Sequence, residues 1–181
     1  MLVQRTRAPQ ADRVFRTFRV RFPTATALVE AGPGVAAEIT SQAGLHWRGP
    51  LLYEAARLVS ARGGAPPESE RELRALPGVG PYAAAAWLSL HRGKRAVIVD
   101  NNVARWLARL EGQPYDGETR RKRWVAELAE QLTPARSFRD YNYAVLDFTM
   151  QVCVPGKPRC ELCPIRKDCH FGNPSLRLAS L

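Results

Sequence analysis

Four cysteines close together in the C-terminal part of the chain constrain its fold more than any other feature. Cys153, Cys160, Cys163 and Cys169 are all the cysteine in the sequence, and their spacing is C-x6-C-x2-C-x5-C. Thiolates this close can converge on one metal centre, and four sulfur ligands suit either zinc or an iron–sulfur cluster. Two disulfides are the alternative, which the absence of a recognisable secretory signal disfavours. The spacing therefore predicts a metal site.

Length and charge narrow the class of protein further. The chain has 181 residues, enough for one substantial core or two small lobes, and its 27 Lys and Arg against 17 Asp and Glu leave a net charge of +10. A surplus of this size favours a polyanionic partner, nucleic acid first, although a merely soluble basic surface is the alternative. Because the basic residues are scattered along the chain, a folded basic surface is favoured over a disordered arm. No apolar run approaches the roughly 20 residues that span a membrane.

Apolar residues recur at helical spacing along nearly the whole chain, which predicts an all-α fold. A break at Phe22-Pro23-Thr24 ends the first helix, and Thr24 can cap the next one. Val97–Val99 is apolar but too short, and without a partner run, to indicate a sheet. The predicted helical segments are 14–22, 36–41, 47–61, 70–75, 81–90, 103–110, 124–132 and 141–152.

A glycine-containing turn joins two of these helices at Leu76-Pro77-Gly78-Val79-Gly80. Gly78 and Gly80 permit backbone angles that a side chain would forbid, and Val79 can pin the turn to the helices. Amides exposed at such a turn form a natural phosphate site, although most Pro-Gly turns are only turns.

Asp100 stands after an apolar run and at the predicted start of a helix. Its ordinary use there is as an N-cap. A helix N-terminus also favours the ionised carboxylate, which suits a group that faces developing positive charge. The two roles are compatible.

Taken together, these features resemble the helix-hairpin-helix DNA glycosylase superfamily in its endonuclease III branch. The resemblance covers almost the whole chain and rests on the hairpin 76–80, the segment 97–105 and the cysteine spacing. Residues 4–8 and 140–148 resemble motifs of the thymine/uracil mismatch glycosylases in particular. The resemblance implies a two-lobed all-α fold. The helical domain 1–95 would carry the hairpin, and the helical domain 96–181 would carry Asp100 and a [4Fe–4S] cluster, with zinc as the alternative metal.

The resemblance also implies a reaction. Such enzymes flip a base out of double-stranded DNA and hydrolyse its N-glycosidic bond, and Asp100 would stabilise the oxocarbenium-like sugar. Bifunctional members carry a Schiff-base lysine where this chain has Tyr82, so a monofunctional enzyme is predicted, with AP-lyase activity weak or absent. Tyr82 would contact the extruded nucleotide, or else pack as an ordinary helix tyrosine. Thymine or uracil opposite guanine is the favoured substrate.

Several DNA contacts follow from the same resemblance. Gln4 corresponds to the residue that fills the hole left by the flipped base, and Leu45 to the wedge that enters the stack, unless Leu45 is a core leucine. Gly78, Val79 and Gly80 would bind phosphates through the hairpin backbone. Lys157 and Arg159 lie on the proline-stiffened loop between the first two cysteines and would meet further phosphates.

Other functions remain open at this point. Adenine-mismatch or other pyrimidine-lesion glycosylases are alternatives, and so is a catalytically impaired DNA-binding module. Relatives have a few dozen residues before the segment that begins here at Met1, and these supply a helix and an acidic residue that this sequence does not show. The expectation is a fold without that helix, acting as a monomer, cytoplasmic and nucleoid-associated, with no membrane partner.

Overall fold

The computed structural model describes residues 8–42 and 44–178, and helices make up its regular structure. No β-strand occurs within those two ranges, and no helix in them is both long and apolar enough to cross a membrane. The predicted all-α class is therefore confirmed. In chain order the α-helices are α1 Ala8–Arg21, α2 Ala25–Glu30, α3 Pro33–Ser41, α4 Gly49–Ala61, α5 Glu70–Arg74, α6 Pro81–Ala86, α7 Asn101–Leu110, α8 Arg123–Leu132, α9 Phe138–Gln151 and α10 Pro174–Leu178.

Helix boundaries follow the capping residues of the sequence. The predicted break at Phe22–Thr24 separates α1 from α2, and Thr24 Oγ1 accepts a hydrogen bond of 3.1 Å from the Ala27 amide. Ser69 caps α5 by accepting from the Glu72 amide at 3.3 Å, and its hydroxyl donates to the Glu72 carboxylate at 2.7 Å. These pairings satisfy amides that the first turn of a helix leaves without a partner.

Two predicted helices differ in detail from what is observed. The segment expected to be helical from Trp47 begins as a 3₁₀ turn over His46–Arg48, and α4 starts only at Gly49. The segment expected to be helical over 81–90 is α6 followed by a π-helical turn over Trp87–His91. A tighter or wider turn shifts the apolar period by less than one residue per turn, so the spacing of apolar residues does not reveal it.

The chain divides into two compact units, with the division between Ala84 and Ala85. In the first unit, Val14, Ile39 and Leu45 form a buried core against which Phe18 packs. The division between domains that the sequence predicts at residues 95 and 96 stays a prediction.

The second unit is built around α7. Residues 103–108 of this helix are all buried, so α7 is surrounded by its neighbours and not laid on a surface. Val125 of α8 lies in the same core, and the Phe148 ring of α9 meets the Trp106 indole edge-on, with ring centroids 5.8 Å apart. A helix this well packed gives a rigid base for the groups at its two ends.

Candidate active site and cysteine pocket

Asp100 caps the N-terminus of α7. Its backbone is extended, its Oδ1 accepts a hydrogen bond of 2.8 Å from the Val103 amide, and its Oδ2 accepts one of 3.0 Å from the Asn102 side-chain amide. The side chain is half-buried. An ionised carboxylate can accept about four hydrogen bonds, so these two leave room for a further contact. The predicted N-cap is confirmed, while the catalytic role of Asp100 remains a prediction.

A hydrogen-bonded chain leads from Asp100 into the core of the second unit. Asn102 Nδ2 donates a hydrogen bond to Asp100, and Asn102 Oδ1 accepts a hydrogen bond of 2.8 Å from Arg105 Nη1. Arg105 is only 6 % exposed. Its Nη2 donates to two backbone carbonyls near the end of α9, that of Thr149 at 2.9 Å and that of Cys153 at 2.8 Å. The orientation of the Asp100 carboxylate is thereby tied to the backbone of the first cysteine.

Burial dominates the electrostatics of Arg105. Burial lowers the pKa of its guanidinium, and the neighbouring Arg109 lowers it further, whereas Cys153, Tyr115 and Asp100 act in the opposite direction. Asn102 and Arg105 are not among the site residues predicted from the sequence. Their polar side chains stand three residues apart, on the same face of a helix and beside a candidate catalytic carboxylate, and this spacing is the signal that points to them.

All four cysteines line a single cavity, and none is disulfide-bonded. The walls of this cavity include the apolar side chains of Trp106, Phe148 and Ile165. Cys153 and Cys169 are buried, while Cys160 and Cys163 are half-buried. In the part of the chain that the structure describes, no three His, Cys, Asp or Glu side chains form a group that could hold a metal ion.

The four thiols are close enough to influence one another. Burial raises the pKa of the Cys163 thiol, and Cys169, Cys153 and Cys160 raise it further, while the Ile165 amide opposes the shift. Four neighbouring sulfur donors suit zinc or iron, and a bound metal cation would stabilise their thiolate forms together. The donor set therefore fits a thiolate-bound metal centre.

Arg109 organises the loop that follows the first cysteine. Its Nη1 donates to the Val154 carbonyl at 2.8 Å and lies 3.4 Å from the Cys153 sulfur, and its Nη2 donates to the Gly156 carbonyl at 3.0 Å. Its guanidinium carbon also lies 5.1 Å from the centre of the Phe171 ring. Arg109 thus holds both the first cysteine and the loop between the first two cysteines.

The last cysteine is anchored to the C-terminal end of the same helix. The Cys169 sulfur lies 3.4 Å from the Arg109 carbonyl, and the amides of His170 and Phe171 donate to the carbonyls of Leu110 and Arg109, each at 3.0 Å. Gly112, at a φ of +67°, leaves the space that the His170 imidazole occupies. These bonds place both ends of the cysteine segment against α7.

Lys157 and Arg159 lie on the loop between the first two cysteines, and both are exposed. The Arg159 amide donates to the Val152 carbonyl at 2.9 Å, which closes the loop at its base. The two cations therefore project from a short, closed turn, as their predicted contact with phosphates requires. That contact remains a prediction.

The hairpin lies in the first unit. Gly78 has a φ of 74°, in the left-handed region that favours glycine, and the Val79 amide donates to the Leu76 carbonyl at 3.1 Å. Gly80 is not in that region, so the expectation of an unusual backbone angle there is wrong. A Cβ at Gly80 would meet no atom within 4 Å, which leaves its backbone approachable. Tyr82 follows on α6 and is half-buried.

Two further predicted DNA contacts have different outcomes. Leu45 is 2 % exposed and packs with Val14 and Ile39. This burial matches the alternative of a core leucine, because a wedge would have to leave that core to enter a base stack. Gln4 lies outside the described residues.

Comparison with known proteins agrees with this architecture, although no family model matches the chain. A thymine/uracil-DNA glycosylase of Methanothermobacter thermautotrophicus is 33% identical over 173 residues, which span 94% of this chain and 78% of that protein. A thymine-DNA glycosylase of Aeropyrum pernix is 32% identical over 95% of this chain and 79% of its own length.

A solved structure gives the same result in three dimensions. It is a thermostable thymine-DNA glycosylase, 33% identical, which superimposes with a TM-score of 0.87 over 94% of this chain and 80% of that chain. DNA glycosylases are hydrolases that act on N-glycosyl bonds. The fold, the identity and the coverage show that this chain belongs to the endonuclease III-like branch of the helix-hairpin-helix DNA glycosylases.

Proposed function

We propose that this enzyme removes thymine or uracil opposite guanine from double-stranded DNA and that it does so without cutting the strand. The observation that carries the proposal is the Asp100 carboxylate, held on the N-terminus of α7 by the Val103 amide and the Asn102 side chain. The substrate is supported by the thymine and uracil specificity in the names of the most similar relatives.

Cleavage of an N-glycosidic bond makes the sugar resemble an oxocarbenium ion. A carboxylate next to that sugar stabilises the positive charge and directs the incoming water, and a fixed carboxylate does so without reorganising. Asp100 has the required charge, and its hydrogen bonds to Asn102 and Val103 fix its orientation. Since the reacting carbon is inaccessible in stacked DNA, the target nucleotide must be flipped out of the duplex.

Tyr82 supports the monofunctional part of the proposal. A strand-cutting glycosylase uses a lysine amine to form a Schiff base with the sugar, and a phenol cannot form one. Tyr82 occupies the place where bifunctional members have that lysine, two residues after Gly80. We propose that its ring contacts the extruded nucleotide.

DNA contacts come from both units. The turn at Gly78, Val79 and Gly80 would bind phosphates through the backbone of the two glycines in the first unit, since the Val79 amide is bonded to the Leu76 carbonyl, and Lys157 and Arg159 present two cations in the second. The surplus of basic residues supplies the wider field that attracts a polyanion. We propose that the enzyme acts as a monomer. A cytoplasmic, nucleoid-associated location remains a prediction.

We propose a [4Fe–4S] cluster as the occupant of the cysteine cavity, held by Cys153, Cys160, Cys163 and Cys169. When bound, the cluster supplies a cationic iron–sulfur core that neutralises the four thiolates and cross-links the segment. Four cysteines that line one cavity support a metal centre with four thiolate ligands.

Adenine removal is the second candidate, because adenine DNA glycosylases are also among the relatives of this chain.

A test that separates the possibilities uses duplexes with one uracil, thymine or adenine at a defined mismatch, incubated with the enzyme and analysed with and without alkali. The proposal expects cleavage only after alkali, for uracil and thymine opposite guanine. Cleavage without alkali contradicts the monofunctional assignment. Product only from adenine duplexes contradicts the assignment of thymine and uracil as substrates. If no duplex gives product, the protein is a DNA-binding module without glycosylase activity on these substrates.

A further inference from the structure

The segment that leads into Asp100 is tied to the rest of the second unit by a buried side chain of α9, Asn142. Residues 96–99 form no helix or strand. Among the contacts of the described residues they make one hydrogen bond, which the Ala96 carbonyl accepts from Asn142 Nδ2 at 3.0 Å. The other contacts of this apolar segment are packing contacts, which are non-directional. The bond at Ala96 is therefore what fixes the segment along its own length.

The surroundings of Asn142 make this bond hard to replace. A backbone carbonyl only accepts hydrogen bonds, so the amide nitrogen of Asn142, and not its oxygen, must face Ala96. The same nitrogen donates to Ser89 Oγ at 2.7 Å, in the π-helical turn that follows α6. Asn142 is 3 % exposed and Ser89 is fully buried. Water has little access to either bond, so loss of the amide leaves two buried groups without their donor.

Arg95 is a second anchor at the start of the segment, but of a looser kind. Its guanidinium donates to three backbone carbonyls at and just after the C-terminal end of α8. These bonds act at the tip of a long side chain with several rotatable bonds, so the backbone can shift without breaking them. The bond from Asn142 acts on the backbone itself, four residues before Asp100.

Helix α9 holds the chain on both sides of Asp100. Asn142 bonds to the segment before Asp100, and the Thr149 carbonyl accepts from Arg105, which lies after it. Residues 142 and 149 are seven positions apart and both are buried, so they lie on one face of α9, about two turns from each other. The place of the Asp100 carboxylate therefore depends on how α9 is seated.

We infer that Asn142 is a positioning residue for base excision: by bonding to the backbone at Ala96 it sets where the Asp100 carboxylate stands, without touching the substrate itself. The inference rests on the proposed function as far as Asp100 is the catalytic group. A carboxylate that stabilises a cationic sugar has to be held to within about 0.5 Å of its productive position. A loosened segment therefore lowers the rate of excision more than the affinity for DNA.

The kinetic test compares Asn142→Leu with a matched control, Thr119→Val, on a duplex with uracil opposite guanine. Leucine has nearly the shape of asparagine but cannot donate. Thr119 is also buried in the second unit, and its hydroxyl also makes two hydrogen bonds, both with Asp116. In single turnovers well below the melting temperature, Asn142→Leu is expected to lower the maximal rate at least about tenfold. The enzyme concentration that gives half of that rate is expected to change less than about threefold.

Thr119→Val is expected to keep both quantities within about twofold of the wild type. A merely structural role of Asn142 predicts that the two variants behave alike, because each loses two buried hydrogen bonds. Equal maximal rates in the two variants therefore contradict the inference.

Hydrogen exchange gives a reading that needs no activity. The Val103 amide bonds to Asp100 Oδ1, so its exchange rate, followed by NMR, reports whether the carboxylate is in place. Relative to the Leu107 amide inside the same helix, it is expected to exchange at least about fivefold faster in Asn142→Leu and at the wild-type rate in Thr119→Val. Unchanged exchange at Val103 overturns the inference.

Asn142→Ser is the second variant, in case the leucine variant does not fold. A serine hydroxyl on a helix can bond to the backbone of the preceding turn, so no unsatisfied group is added on α9, and both readings are expected to change in the same direction. Faster exchange at Val103 in a protein that excises no base supports the inference while the proposed function fails. Normal excision by the wild type and by both Asn142 variants removes the inference while the proposed function stands.

Discussion

Arg105 donates a hydrogen bond of 2.8 Å from its Nη2 to the backbone carbonyl of Cys153. The same guanidinium, through Asn102, also sets the position of the Asp100 carboxylate. The candidate catalytic group and the first cysteine therefore share one buried cation. A change in the backbone at Cys153 must either be absorbed by Arg105 or be passed to Asp100.

Replacing Arg105 by Met tests this connection. Methionine is apolar and leaves Asn102 and the two carbonyls near the end of α9 without their donor, so we expect a loss of about 3 kcal/mol in the free energy of unfolding. We also expect excision to fall at least about tenfold while binding to an uncleavable duplex changes less. Chemical denaturation and single-turnover kinetics measure the two effects.

Arg123→Met is the control for that experiment. The Arg123 side chain is 91% exposed and bonds only to Glu127 among the described contacts. Its removal is therefore expected to lower the free energy of unfolding by only about 0–1 kcal/mol. If Arg105→Met were no more harmful than Arg123→Met, the chain from Asp100 to Cys153 would have no energetic role.

Replacing Asp100 by Asn separates catalysis from folding. The asparagine oxygen can still accept from the Val103 amide, so the cap on α7 is preserved and the melting temperature is expected to change little. The negative charge that would stabilise the sugar is lost, and excision is expected to fall at least about a hundredfold with DNA affinity retained. Full excision by this variant, measured in a single turnover, would remove Asp100 from the mechanism.

The sequence predicts most of the α-helices, though not α10, and the capping residues Thr24 and Asp100, because these depend on local spacing and local hydrogen bonds. It does not predict which residues contact across the fold. Leu45 illustrates the limit: an apolar residue in a loop is compatible with a wedge or with a core, and its packing against Val14 and Ile39 is not visible in the sequence. Arg105 is a second case, since two of its partners, the carbonyls of Thr149 and Cys153, lie more than forty residues away along the chain.

Arg109→Ala tests how the cysteine cavity is maintained. The variant loses the donors to the carbonyls of Val154 and Gly156, so the loop between the first two cysteines is expected to open. We expect less iron and sulfide per protein and a weaker absorbance near 400 nm. Arg166, which also lines the cavity, bonds to the Gly172 carbonyl instead, and Arg166→Ala therefore serves as the comparison. Equal iron contents in both variants would contradict a specific role of Arg109.

Reversing the charges of Lys157 and Arg159 tests the loop between the first two cysteines. Each cation that contacts a phosphate releases counterions, so the double Glu variant is expected to weaken binding to all sequences alike and to reduce the slope of log affinity against log salt by about 2. Arg120→Glu with Arg136→Glu is the control, because these two exposed cations lie elsewhere in the same unit. A slope that falls equally in both double variants means that only the net charge matters.

Replacing Tyr82 by Lys tests the place of this residue in the reaction. If Tyr82 contacts the extruded nucleotide, a lysine there has its amine near the sugar and can displace the base to form a Schiff base, which borohydride reduces to a permanent protein–DNA bond. We expect a slower band on a denaturing gel for Tyr82→Lys and none for the wild type or for Tyr82→Phe. An adduct with the wild type would contradict the monofunctional proposal. A folded Tyr82→Lys that binds DNA but forms no adduct would place Tyr82 outside the nucleotide pocket, as an ordinary packed residue of α6.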